Sequence, residues 1–157
     1  MNSLISDEFP LRATQSLRHE LLDLLTDADL KFRLPGDTLS LGELCEEQGN
    51  IQHTYIQSFV SLETDWSLRR TRTESALTVT DLRHWWTELD EEFERVISGY
   101  SEQELNTRTI DRGHWAPTPF VQFHIYREAV LIFLGKASIY LKAMQKPLSM
   151  QWQAQIA

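Results

Sequence analysis

The chain has 157 residues and a formal net charge of −8, from 15 Lys and Arg against 23 Asp and Glu. This length is typical of one domain, and we expect a single domain over residues 1–157. The acidic balance argues against nucleic-acid binding, which requires a basic surface for phosphates. A hydrophobic fraction of 41%, with 5 Trp, 4 Tyr and 7 Phe, excludes a disordered chain. The single cysteine, Cys45, excludes an intrachain disulfide framework and a multi-thiolate zinc site.

The sequence shows no targeting or membrane-spanning segment. Residues 1–8 have no basic region followed by an apolar run, so they do not have the pattern of a signal peptide. The longest apolar-rich stretch, around residues 129–134, is far shorter than the roughly 20 residues that span a bilayer. We therefore expect a cytoplasmic protein with no membrane partner.

Apolar residues recur at helical spacing in four long segments. The first predicted helix extends from about Pro10 to Ala28. The second begins at the capping box Ser40-Leu41-Gly42-Glu43 and continues to about Glu63. The polar segment from Trp66 to Val79 is predicted to be a loop.

The third predicted helix has the clearest amphipathic pattern, from Leu82 to Ile97, and Gly99 follows it. Trp85 and Trp86 are consecutive, so at most one of them is expected to point squarely into the core. The acidic residues of this helix are expected on a solvent-facing side; they are Asp90, Glu91, Glu92 and Glu94.

A short helical turn is predicted at Ser101–Glu104, followed by a connection over residues 106–117. Thr118-Pro119 then begins a fourth helix of some 25 residues, which Lys146-Pro147 ends, leaving a short tail with Trp152. Together these segments predict an all-α four-helix bundle with long loops after the second and third helices. Long loops at one end of a bundle often cover a site.

One pair of residues has metal-ligand spacing on a long helix. His124 and Glu128 are four residues apart, which puts their Cβ atoms about 5–6 Å apart on one face. The alternative is an ordinary hydrogen bond on the helix surface or in the core. His53 on the second helix could add a ligand or be partly exposed, and His114 could lie over the bundle end or on the surface.

Two segments carry a resemblance to a known family. Ser40–Cys45 resembles the "SLGELL" opening of the DinB/YfiT-like superfamily, and Gln48–Tyr55 resembles its "LAD…Y" continuation. The last helix, from Arg127 to Leu148, resembles the closing helix of one branch. Proteins of this superfamily are four-helix bundles with three metal-binding histidines. The resemblance therefore implies a DinB-like four-helix bundle, and it also implies a homodimer.

The resemblance places the three metal-ligand positions on residues that are not all histidine. The first position falls on Glu47. Aligning the last helix on its arginine, Arg127, puts Gln122 and Tyr126 at the other two, whereas a shift of two residues puts His124 and Glu128 there. Amide and phenol oxygens bind transition metals poorly. The set Glu47, His124 and Glu128 is the predicted site for a divalent transition metal of the zinc, nickel or iron class, if the protein binds one.

Three functional hypotheses follow. In the first, the metal site is degenerate and the protein binds a small molecule at the bundle end or another protein. In the second, the resemblance implies a metal-dependent transferase or isomerase that uses a low-molecular-weight thiol, with the metal stabilising the thiolate. In the third, the bundle is purely structural, because fold does not imply function.

Overall fold

The computed structural model describes residues 1–6, 9–70 and 77–156. Over these ranges the chain is helical, with two isolated β-bridges and no β-strand. The predicted all-α fold is confirmed. The helices are α1 (Ser3–Ser6), α2 (Arg12–Asp23), α3 (Leu41–Ser61), α4 (Val79–Ser98), α5 (Glu102–Thr107), α6 (Pro119–Ala143) and α7 (Met150–Gln155).

Four of these helices form the bundle around one apolar core. Helix α3 packs against α4 and α6, and α2 also packs against α4 and α6. Aromatic rings fill the centre: Phe93 lies 5.5 Å from Phe59, 6.0 Å from Phe123 and 4.8 Å from Tyr126, measured between ring centroids. Across the described residues, no helix is both long and apolar enough to cross a lipid bilayer.

Side-chain caps determine where three of the four bundle helices begin, whereas α2 begins without one. The predicted capping boxes at Ser40 and Ser101 are present, and a third joins Thr78 to the first turn of α4. In each box the hydroxyl accepts a hydrogen bond from a backbone N–H that has no partner in the helix. Thr118 caps α6, and Pro119 occupies its first turn, as predicted.

The first predicted helix is too long at both ends. Helix α2 begins at Arg12 and ends at Asp23, whereas the pattern predicted Pro10 to Ala28. The helix ends early because the backbone N–H of Thr26 donates to the carboxylate of Asp29 at 2.8 Å, which starts a separate turn. A 3-10 helix over Asp29–Lys31 follows.

The C-terminal tail is also more ordered than predicted. It forms α7, and Trp152 is fully buried with its Nε1 donating to the backbone oxygen of Leu17 at 3.1 Å. The tail therefore closes one side of the bundle over α2.

Helix α4 corrects two predictions. Trp85 and Trp86 are both buried, although at most one was expected inside. Trp85 fits because it packs over Gly49 of α3, where a Cβ would lie 2.3 Å from the ring. Asp90, expected on the solvent-facing side, points to α2 and pairs with Arg18. Of the predicted loop from Trp66 to Val79, residues 71–76 lie outside the described part, and Val79 already belongs to α4.

Candidate functional site at the loop end of the bundle

The two long loops meet where α3 ends and α6 begins. The backbone N–H of Thr64 donates to the oxygen of Asp111, and the N–H of Asp111 donates to the oxygen of Leu62, both at 2.8 Å. Leu62 adopts a left-handed conformation, with φ at 63°, which turns the chain out of α3. A third backbone bond, from Ile110 to Pro117 at 2.9 Å, closes the second loop on itself. These bonds fix the two loops against each other.

Arg112 occupies the tip of the second loop among three aromatic rings. Its Cζ lies 5.7 Å from the ring centroid of Tyr55, 5.1 Å from that of Trp66 and 5.9 Å from that of Trp115. These distances are in the range of cation–π attraction. The turn that presents it is closed by the bond from Arg112 N–H to the oxygen of Trp115, with Gly113 at φ 89°.

One edge of the Arg112 guanidinium is anchored to the core. Its Nη1 donates to Oε1 of Gln122 at 2.7 Å and lies 3.5 Å from the hydroxyl of Tyr55. Gln122 is fully buried, and its Nε2 donates in turn to Oγ of Ser58 at 3.0 Å. The amide therefore has both ends bonded, with its oxygen facing a cation.

The register of α6 decides which of the predicted metal-ligand positions face the core. Gln122 and Tyr126 are fully buried, whereas His124 is half-buried and Glu128 is exposed. The alignment on Arg127 is thus the one whose residues point inward. Phe123 and Leu134 lie on the same inward side, while Leu131 faces out.

The inward-facing residues do not fit a transition metal. The amide oxygen of Gln122 is taken by Arg112, and burial raises the pKa of Tyr126, so its phenol stays protonated. A neutral amide and a protonated phenol are poor ligands for such ions. Placing a metal ion there would also set it against the guanidinium of Arg112.

The three residues of the predicted metal site do not assemble into one. Across the described ranges, no group of three or more His, Cys, Asp or Glu side chains has the arrangement of a metal site. Glu47 is exposed on α3 beside Lys136, at a surface cavity of about 260 Å³. Nδ1 of His124 lies 3.2 Å from Nη1 of Arg127; burial and that positive charge lower the pKa of His124.

The other two histidines considered as ligands contribute no metal site either. His53 is half-buried on α3, and His114 is exposed on the second loop. Neither belongs to a ligand group within the described part of the chain.

A second polar cluster lies inside the bundle and was not predicted from the sequence. Arg18 of α2 is fully buried and donates to Oδ1 of Asp90 and to Oε1 of Gln52, both at 2.5 Å. Nε2 of Gln52 also donates to Oδ1 of Asp90, and Nε2 of His19 lies 3.0 Å from Oδ2 of the same carboxylate. Burial alone would raise the pKa of Asp90, but the charge of Arg18 and the hydrogen bonds from His19 and Gln52 hold it below its ordinary value.

Comparisons with known proteins identify the fold. No family model matches the chain, and no curated protein matches it in sequence. A DinB-like protein from Bacillus subtilis, YjoA, superimposes with a TM-score of 0.69 at 15% identity, over 87% of this chain and 92% of that one. A DinB-like protein from Bacillus cereus ATCC 10987 gives 0.70 at 13% identity, over 87% and 89%. The chain therefore has the DinB-like fold that the resemblance implied.

Proposed function

We propose that this DinB-fold chain binds a small organic molecule at the loop end of the bundle and does so without a metal ion. The observation that carries the proposal is the setting of Arg112, which Gln122 holds between two tryptophans of the loops. Trp66 is 45% exposed and Trp115 is 48% exposed. Aromatic side chains beside a fixed polar group are the combination of residues that lines many small-molecule sites.

The site is preorganised, which supports binding rather than a mobile loop end. Both loops are joined by backbone hydrogen bonds at Thr64 and Asp111, and Arg112 has its orientation fixed by Gln122. A binding group that is already oriented loses less entropy when a ligand arrives. The side chains that would contact a ligand are thus in place before it binds.

The proposal can be tested by ligand-observed NMR with a library of small organic molecules. We expect hits that receive saturation transfer from the wild-type protein. The same molecules should receive none from the Trp66→Ala and Trp115→Ala variants. Met150→Ala, which removes an exposed apolar side chain on α7, is the matched control and should keep the hits. A library without any hit, or hits that neither tryptophan variant weakens, would overturn the proposal.

We also propose that the protein is a homodimer that pairs through the outer face of α6. Ile132 is 60% exposed and Ile139 is 56% exposed, and both lie on the side of α6 that faces away from the core. Glu128 and Lys136 are exposed on this helix at equal distances before and after Ile132. An antiparallel pairing around Ile132 brings Glu128 of one protomer to Lys136 of its partner, which suits a two-fold interface.

Sedimentation velocity tests the dimer. We expect a dimer for the wild type and a monomer for Ile132→Glu, because the substitution buries a charge at the centre of the interface. Val60→Glu, on an exposed position of α3, is the matched control and should leave the dimer intact. A wild-type monomer at all concentrations, or a dimer in the Ile132→Glu variant, would contradict the pairing.

A further inference from the structure

The free edge of Arg112 indicates the charge of the ligand. Nη1 is used by Gln122, whereas Nε and Nη2 have no protein partner among the described residues. Arg112 is half-buried, and neither Nε nor Nη2 is among the fully buried side-chain atoms that lack a partner, so this edge reaches solvent. The nearest acidic residue in sequence, Asp111, accepts a hydrogen bond from the N–H of Gly113 at 2.7 Å instead. No ion pair joins Arg112 to an Asp or Glu within the described part of the chain.

The geometry of that edge favours a planar anion with two oxygens. The Nε and Nη2 hydrogens of a guanidinium form a fork that matches a carboxylate with two parallel hydrogen bonds. The anchored Nη1 fixes the plane of the fork, because Gln122 is fully buried and bonded at both ends. An ammonium group would be repelled by the positive charge of the guanidinium.

The two loop tryptophans indicate what the rest of the ligand is. Their indoles border the guanidinium, at 5.1 Å and 5.9 Å from Cζ, and about half of each side chain remains accessible. Trp66 is further held edge-on against Tyr55, with 5.7 Å between the ring centroids. An aromatic ring attached to the carboxylate would cover these exposed faces, a contact that stabilises through buried area and ring stacking.

We infer that the ligand of this site is an aromatic carboxylate, held by the free edge of Arg112 and stacked against Trp66 and Trp115. The inference rests on the proposed function, since it names the chemical class that the loop-end site takes. The carboxylate pairs with Nε and Nη2, while Nη1 keeps its bond to Gln122. The ring lies at the mouth of the site, where the two indoles provide its apolar surroundings.

The test is a set of fluorescence and calorimetric titrations with matched probes. The carboxylate probes are benzoate, phenylacetate and indole-3-acetate; each is compared with its neutral amide, and the controls are benzylamine and inorganic phosphate. We expect at least one carboxylate to quench tryptophan fluorescence and to bind about tenfold or more tightly than its amide. We also expect its affinity to fall with added salt.

Two variants assign the binding to Arg112. Arg112→Gln should lower the affinity of the best carboxylate to that of its amide, and Arg112→Lys should restore only part of it, because an ammonium lacks the fork. Arg70→Gln is the matched control, since Arg70 also lies over an indole, 4.6 Å from the ring centroid of Trp85. This variant should leave the affinity for the best carboxylate unchanged.

The outcomes separate this inference from the function beneath it. If amides or benzylamine bind as tightly as the carboxylates and Trp66→Ala weakens them, the inference fails and the proposed function stands. If phosphate binds as tightly as the best carboxylate, the aromatic part of the inference fails. If no probe binds, the inference fails, and the proposed function is then decided by the NMR screen of the wider library.

Discussion

Nη1 of Arg112 donates to Oε1 of the buried Gln122 at 2.7 Å, so an amide rather than a carboxylate holds this guanidinium. The difference matters because an amide orients the cation without neutralising it. The loop end of the bundle therefore presents a fixed positive charge in a chain whose overall charge is −8. The same amide stands at one of the positions that the DinB resemblance assigns to metal ligands.

The first prediction concerns a negative charge introduced in place of the Gln122 amide. Gln122→Glu should weaken the best carboxylate probe by about tenfold or more, because the new carboxylate neutralises Arg112. The variant should still fold, since the side chains have nearly the same size. Isothermal titration measures the affinity, and circular dichroism checks the fold. An affinity equal to that of the wild type would show that the charge of Arg112 does not hold the ligand.

The second prediction concerns the ion pair of Arg18 and Asp90. Asp90→Asn should cost about 3–5 kcal/mol in the free energy of unfolding at pH 7, because it leaves the fully buried Arg18 without its carboxylate. Glu91→Gln on the exposed side of the same helix is the control and should be nearly neutral. Urea denaturation measures both, and equal stability of the two variants would contradict the role of the pair.

The third prediction concerns how this pair depends on pH. The pKa of Asp90 is lowered in the folded state, whereas an unfolded aspartate titrates near about 3.9. Its contribution to stability is therefore fully present above about pH 4 and is lost as the pH falls through the folded pKa. In acid, the unfolding free energy of wild type should approach that of Asp90→Asn. A difference between them that stays constant down to pH 2 would contradict the shift.

The fourth prediction concerns the close packing of α3 and α4. Gly49→Ala should destabilise the fold by about 1–3 kcal/mol, because the new Cβ would lie 2.3 Å from the ring of Trp85. Gly135→Ala on α6 is the opposite case: nothing lies within 4 Å of its Cβ position, so it should stabilise by up to about 1 kcal/mol through helix propensity. Thermal unfolding distinguishes the two, and a stabilising Gly49→Ala would mean that the helices are farther apart.

The sequence predicted the elements whose signals are local. The caps at Ser40, Ser101 and Thr118 are side-chain hydrogen bonds within four residues, so they can be identified from the letters alone. Asp90 could not be placed, because a charge run on a helix looks solvent-facing until its partner is known. That partner, Arg18, is 72 residues away in the chain.

The position of the two long loops could be predicted from the sequence, but the residues that they bring together could not. The two long loops were expected to cover the bundle end, and they meet there. Arg112 and Trp115 lie in a connection without periodicity, and the bond from Arg112 to Gln122 forms only when the loop folds back. The register of α6 was ambiguous because two apolar stripes overlap on it, and only its packing against α3 shows that Gln122 and Tyr126 point inward.

The most direct test of the central claim is the affinity of the wild-type protein for its best carboxylate probe before and after treatment with EDTA, and again after addition of Zn²⁺. A loop-end site that binds without a metal ion predicts the same affinity in all three states, because Arg112, Trp66 and Trp115 make the contacts. Binding that disappears with EDTA and returns with one equivalent of Zn²⁺ would contradict it.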